Sequence, residues 1–361
     1  MHWERASEDI YIFTSDRYAQ VTASLIVSGN TGILIDTLPF PSETAQIALF
    51  ARKRCPDGVR FVIYTGHEAD HVYGAFLFPK AEIIAHEMAR EILIERGFAA
   101  LQRAKEQSQE FAPIQLRLPT FTFTTNSVTL RMPGKTLEIM HTPGHTPDCV
   151  SVLLHEERIL FAGDTVMALP TITNGDPDQL KKSLEAIGAM QLENIVQGHG
   201  EIILRGEIRD TLRRQINYMD NLRSKVQKLI DAGGSRDDAK AITIEQCGMP
   251  RVLLNGAVVQ LHLANVLATY DRLMAAKAAE TARSASAAEK PKATKKPAAK
   301  KSATAKKEKE KPARAKKSGT KQAAQKRTSK PKAAAKQASK PAKRKAAPQT
   351  KASKKSKGKG R

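Results

Sequence analysis

The chain is poor in cysteine and has no long apolar run. Its three cysteines, Cys55, Cys149 and Cys247, are spread over 361 residues. That is too few and too scattered for a disulfide scaffold or a cysteine-rich zinc module. No apolar stretch approaches the roughly 20 residues that a membrane-spanning helix needs. The segment Met1 to Asp9 lacks a basic stretch followed by an apolar one, so no secretory signal is expected. These absences point to a soluble protein of a reducing cytosol.

Acidic residues are scarce in one region only. The whole chain holds 59 Lys+Arg against 37 Asp+Glu, a net charge of +22. Residues 281–361 alone hold 30 Lys+Arg and 3 Asp+Glu, a net of +27. The 29 basic and 34 acidic residues left in 1–280 put that part at −5. A mildly acidic body therefore carries a strongly basic tail. The tail has no Phe, Trp or Tyr, and Ala is its only frequent apolar residue. It cannot bury enough surface to offset its ordering entropy and is expected to be disordered in isolation.

The body reads as mixed α/β. Strand-type runs are predicted at 10–13, 23–27, 33–36, 61–64, 83–85, 120–130, 137–140, 150–154 and 159–162. Helical patterns are predicted at 42–52, 87–109, 177–190, 208–232 and 250–277. Strands dominate the first part and helices the last, which suits a sheet-based domain with a helical C-terminal cover. Three regions are expected: 1–205 as the sheet domain, 206–277 as a helical extension packed on it, and 278–361 as the tail.

Five places put metal-type ligands just after an apolar strand, beside Gly or Pro. They are Asp36, the run Gly66-His67-Glu68-Ala69-Asp70-His71, the turn Thr142-Pro143-Gly144-His145-Thr146-Pro147, Gly163-Asp164, and Gly198-His199-Gly200. Such residues sit on loops at the edge of a rigid scaffold. His, Asp and Glu bind divalent metals, and several converging would leave open coordination positions. A metal with an open position lowers the pKa of bound water to about 7 and polarises a carbonyl or phosphoryl group.

In that order, the motifs resemble the metallo-β-lactamase superfamily, in its glyoxalase II-like branch. Its signature is H-x-H-x-D-H, then His in a T-P-G-H-T-x-G-like turn, then Asp in G-D, then His in G-H-G. The likeness spans about Ile10 to Leu204, and His262 to Val266 in the last helix also looks family-like. It implies a four-layer αβ/βα sandwich with a dinuclear metal site between two sheets. Carried over, Asp70, His71 and His199 hold one ion, and Asp164 bridges. Glu68 and His145 share Asp164 at the other. The resemblance further implies hydrolysis of an ester, thioester, lactone or phosphoester by a metal-bound hydroxide, with Asp70 or Asp164 orienting the water.

The first motif departs from the signature at two positions. Gly66 stands for the first His and Glu68 for the second. Three readings stay open: His67 replaces the lost ligand, water fills the gap beside Glu68, His145 and Asp164, or one ion binds at Asp70, His71 and His199 alone. One or two zinc ions are expected, with iron or manganese as alternatives because carboxylates favour harder ions. Glu68 also resembles the flavodiiron branch, H-x-E-x-D-H, which implies a nonhaem di-iron oxidoreductase. Against it, the first His is absent and no flavodoxin-like domain follows.

Other residues carry plainer expectations. His2, His86, His141, His155 and His262 are expected to be packing or surface residues, with His141 a candidate support behind the ligands. Asp36 is expected to brace the metal loops, and Cys149 and Cys247 to act as small buried hydrophobes. Gly134-Lys135-Thr136 lacks the earlier glycine of a phosphate loop. An inactive scaffold is the alternative for the whole site.

The tail resembles those of linker histones. Its basic residues, among them Lys295, Lys296, Lys306, Lys307, Lys316, Lys317, Lys343, Arg344, Lys345, Lys354 and Lys355, are expected to bind DNA or RNA without sequence specificity. The expected partners are thus a small-molecule substrate and nucleic acid, and the expected place is the cytoplasm, on the nucleoid. A nucleic-acid-binding protein with a catalytically weak body is the alternative from another class. Substrate and oligomeric state are left open.

Overall fold

The computed structural model describes residues 1–288, all within one compact unit. The basic tail residues named above lie outside the described residues.

Among the described residues thirteen strands form two sheets. The first holds β1 (His2–Ser7), β2 (Ile10–Thr14), β3 (Thr22–Ser28), β4 (Thr31–Ile35), β5 (Val59–Ile63), β6 (Glu82–His86) and β7 (Phe121–Phe123), in sequence order. The second holds β8 (Ser127–Met132), β9 (Lys135–His141), β10 (Val150–Leu154), β11 (Ile159–Gly163), β12 (Asn194–Gln197) and β13 (Ile203–Leu204). The helices are α1 (Pro41–Arg54), α2 (Ala69–Val72), α3 (Glu87–Ile92), α4 (Phe98–Gln107), α5 (Pro177–Gly188), α6 (Ile208–Asp231), α7 (Arg236–Ala239) and α8 (Val258–Ala288).

The inner strands, such as β2, β4 and β11, are apolar on both faces because both faces are buried. Side chains alternate along a strand, so neighbouring residues enter different cores. Ile10 and Ile12 of β2 and Ile33 and Ile35 of β4 point between the sheets, where they meet Ile139, Val152 and Phe161. Tyr11, Phe13 and Leu34 point the other way and share a core with Ile47 of α1 and Ala89 and Leu93 of the α3 segment. Leu160 and Ile195 of the second sheet pack with Leu184 of α5, Leu222 of α6 and Val266 of α8. Three cores separate four layers, helix, sheet, sheet, helix, as the resemblance implies.

Four differences from the expected elements have physical causes. The strand β1 is largely exposed and has no apolar alternation to announce it; it pairs antiparallel with β2 at the sheet edge. The run 120–130 is two strands, because the chain crosses from the first sheet to the second between Phe123 and Ser127. The helix expected at 87–109 is broken by a turn of π-helix at Leu93–Gly97. Finally, α8 runs past 277 to Ala288, where the tail was expected to have begun. Its last turns are Ala-rich, and alanine has the highest helix propensity.

Strand direction gathers the motifs at one edge. In the first sheet β4 and β5 are parallel, so Asp36 and the loop after Ile63 leave the same end. In the second, β9 and β11 are both antiparallel to β10, and β12 is parallel to β11. The loops carrying His145, Asp164 and His199 therefore also emerge together. The two edges are stitched by Thr22, whose N–H donates to Gly198 O (2.9 Å) and whose hydroxyl donates to Gln197 O (2.6 Å).

Candidate metal centre

Six predicted ligands meet at this edge in two groups. Asp70, His71 and His199 form one, and Glu68, His145 and Asp164 the other; within each group the donor atoms lie within 4.8 Å of one another. Asp164 joins the groups. Its Oδ2 lies 3.2 Å from His71 Nε2 and 3.3 Å from His145 Nε2, and its Oδ1 lies 3.6 Å from His199 Nε2. His199 Nε2 is also 3.1 Å from Asp70 Oδ2, and His145 Nε2 is 2.5 Å from Glu68 Oε2.

Each imidazole is oriented from behind. His71 Nδ1 donates to Asp36 Oδ2 (2.9 Å), His145 Nδ1 to Thr171 O (2.9 Å), and His199 Nδ1 to Ala19 O (2.9 Å). A proton held on Nδ1 leaves the Nε2 lone pair pointing inward. The centre therefore gathers three imidazole nitrogens and three carboxylates, all of them acceptors once the Nε2 protons are released. His71 Nε2 and Asp164 Oδ1 are buried with no aligned hydrogen-bond partner. A divalent cation satisfies such a set, and these residues fit one.

The electrostatics agree. Burial alone would lower the pKa of His71, but Asp36, Asp164 and Asp70 outweigh it and raise it well above the ordinary value. His145, opposed in the same way by burial, is pushed up to about 9 by Glu68 and Asp164. Burial works against the ionised form of Asp164 too, yet the imidazoles of His71, His199 and His145 hold its carboxyl far below the usual range. Protons on the histidines stand where a cation would, and metal binding must release them.

The supports reach far into the fold. Asp36 accepts from Thr65 N (2.8 Å) and Thr65 Oγ1 (2.6 Å) as well as from His71, and so fixes the start of the ligand loop. Asn265 of α8 accepts from Ile172 N (2.9 Å) and donates to Pro170 O (2.7 Å). It thereby holds the loop whose Thr171 carbonyl orients His145. At Gly198 a Cβ would lie 2.0 Å from Asp164 Oδ1, so only glycine lets this strand end pass the bridging carboxylate.

His67 lies outside both groups. Its Nδ1 is 2.8 Å from Asp148 Oδ1. Of the other histidines, His86 stacks on His141, with ring centroids 4.0 Å apart, and His141 Nε2 donates to Pro147 O (2.7 Å). His262 is buried between Tyr218 and Ile242 O. His2 pairs with Asp16, and His155 with Glu138. Cys149 and Cys247 are buried free thiols, and burial raises both pKa values.

Tyr18 was not legible as a site residue. It sits between β2 and β3, 48% exposed, its ring 6.3 Å from that of His199. Its phenol is pushed up to about 12, first by the charge of Asp70, then by burial, Glu68 and Asp164. It stays a hydrogen-bond donor at the mouth of the site. No spacing rule marks a single loop tyrosine.

The reach of Asp36 is testable. Asp36→Asn is expected to weaken metal binding by about 10- to 100-fold, because the ring of His71 loses its anionic support. Competition with a chromogenic chelator measures it, and wild-type affinity would show that Asp36 serves the loop alone.

Comparison with known proteins agrees with this geometry. A sequence model of the Metallo-beta-lactamase superfamily matches residues 17–227. The chain belongs to that superfamily. It is 27% identical over 183 residues to the beta-lactamase-like protein 2 homolog of Caenorhabditis elegans, covering 50% of this chain and 55% of that one. It is 28% identical over 145 residues to an atrochrysone carboxyl ACP thioesterase of Aspergillus fumigatus, covering 39% and 40%. It is 30% identical over 111 residues to the hydroxyacylglutathione hydrolase GloC of Haemophilus influenzae, covering 28% and 52%. The chain thus spans about half the length of these curated relatives or less. A metallo-beta-lactamase family protein of Thermus thermophilus shares the fold, with a TM-score of 0.58, 17% identity, and coverage of 76% of this chain and 95% of that one. No helix among the described residues is long and apolar enough to cross a membrane.

Proposed function

We propose that this chain is a metal-dependent acyl hydrolase acting on a thioester or a related ester. The observation that carries this reading is the inward-facing set of three imidazoles and three carboxylates joined by Asp164. The thioesterase and hydroxyacylglutathione hydrolase among the relatives support the substrate class.

Asp70, His71 and His199 would hold one divalent ion, and Glu68 and His145 a second, with Asp164 shared. Zinc is the first expectation and iron or manganese the alternative. Such ions, when bound, lower the pKa of a coordinated water to about 7 and polarise the substrate carbonyl. The chain's own residues do the rest. Asp70 or Asp164 orients the attacking water, and Tyr18 offers its hydroxyl to substrate. No serine or cysteine nucleophile is required, and the buried Cys149 thiol is not one. The basic tail serves this enzyme as a nonspecific anchor on nucleic acid.

The test is turnover of a short acyl-coenzyme A, followed by thiol release, on protein of measured metal content. Turnover is expected to track zinc, to vanish on chelation and to return on refilling. Turnover that survives chelation would overturn the reading. Bound iron with oxygen consumption would replace it with the di-iron oxidoreductase.

A further inference from the structure

Gly66 and Asp148 both depart from the family signature. Where the first motif should carry its first His, this chain has Gly66. Where the turn T-P-G-H-T-x-G should carry glycine, it has Asp148. The two positions are 82 apart in sequence yet face each other. A Cβ at Gly66 would find only one heavy atom within 4 Å outside its own neighbours, Asp148 Oδ2, at 3.9 Å. The imidazole lost from one loop has left a space that a carboxylate from the other borders.

Asp148 is not explained by its own contacts. It is 1% exposed. Its Oδ1 accepts from Thr146 Oγ1 (2.7 Å) and faces His67 Nδ1 (2.8 Å). Its Oδ2 is buried with no partner. An unpaired charged oxygen costs several kcal/mol of desolvation, so a buried one calls for a ligand. Burial opposes its charge, but the bonds from His67 and Thr146 keep its carboxyl below the usual range. Gly66 and Thr146 also line the same narrow cleft as Glu68, His145 and Asp164.

We propose that Asp148 is the donor that replaces the missing imidazole, completing the site of Glu68, His145 and Asp164 through the space open at Gly66. The completed site has three carboxylates and one imidazole. Such a set favours harder divalent ions, manganese(II) or iron(II), over zinc. The two halves of the centre then differ in preference, since the other group has two imidazoles. His67 becomes a positioning residue that keeps Asp148 ionised and aimed. This inference rests on the metal-centre reading above.

The experiment titrates the metal-stripped full chain with manganese(II) and with zinc, reading bound metal by mass spectrometry and free manganese by electron paramagnetic resonance. Wild type is expected to bind two equivalents. Asp148→Asn keeps the contacts to Thr146 and His67 but loses the charge, and should weaken one manganese equivalent tenfold or more while sparing the other. His67→Ala should weaken the same equivalent, but by less than Asp148→Asn does. The double variant Gly66→His with Asp148→Gly restores the family pair; it should bind two equivalents again, with preference moved toward zinc, and it decides the matter if Asp148→Asn folds poorly. Asp148→Asn binding both ions as wild type does, or loss of an equivalent in His67→Ala alone, overturns the inference and leaves the metal centre standing. Wild type binding no metal at all overturns both.

Discussion

Replacing Asp164 with alanine is expected to strip the chain of metal and to cut hydrolysis about a thousandfold or more. The reason lies in what this one carboxylate touches. Its two oxygens stand within 3.6 Å of the Nε2 atoms of His71, His145 and His199. Every other ligand belongs to one group; Asp164 serves both. Without it each group is left with an incomplete set, and three imidazoles lose the anion that helps hold their protons. A bound metal contributes several kcal/mol to the transition state, and each 1.36 kcal/mol is tenfold in rate. Asp164→Asn separates charge from shape. It fills the same volume, so it should melt near wild type, yet it too should lose metal and activity. Metal analysis and thiol release on the same samples read the outcome. Turnover retained with metal lost would sink the mechanism, and metal retained with turnover lost would make Asp164 a proton carrier rather than a ligand.

The position of Asp164 was legible in the sequence, and so was most of the centre. Asp36, Asp70, His71, His145, Asp164 and His199 each follow a short apolar strand, and such strands in an α/β chain end at a common edge. Spacing along the chain carries that information. What it did not carry is the contact between loops that are distant in sequence. Asp148 was not legible, because its importance depends on Gly66, where a Cβ would lie 3.9 Å from Asp148 Oδ2. Tyr18 lies on a loop with no periodicity, and only the nearby charge of Asp70 distinguishes it. The Asn265 clamp shows the same limit: a polar residue inside a helix acquires its meaning from Pro170 and Ile172, which it holds from 95 and 93 positions away. The fold followed the same division. Strands buried on both faces declared themselves by apolar runs, as in Ile10–Thr14 and Ile159–Gly163, whereas exposed β1 had no pattern to show.

Removing residues 289–361 is expected to abolish binding to DNA and to leave metal content and hydrolysis unchanged. The charge is almost wholly on one side of that cut: residues 289–361 carry a net +26 and residues 1–288 a net −4. A chain at −4 is repelled by a phosphate backbone, so the body alone should not bind. Each phosphate that a lysine or arginine neutralises releases condensed counterions, and affinity then falls linearly with salt on logarithmic axes. If only about 6–10 of the 29 basic residues in 289–361 engage at once, affinity should fall by about 10³- to 10⁵-fold between 50 and 200 mM salt. With no aromatic residue in 281–361 there is nothing to stack on bases, so random and mixed sequences should bind alike. Fluorescence anisotropy with two unrelated duplexes, across a salt series, measures both claims. A shallow salt slope, a strong preference for one duplex, or binding by the shortened chain would each show that something other than tail charge recognises the nucleic acid. No binding by the full chain at about 50 mM salt, where such contacts are strongest, would remove nucleic acid from the function altogether, while the metal centre would be untouched.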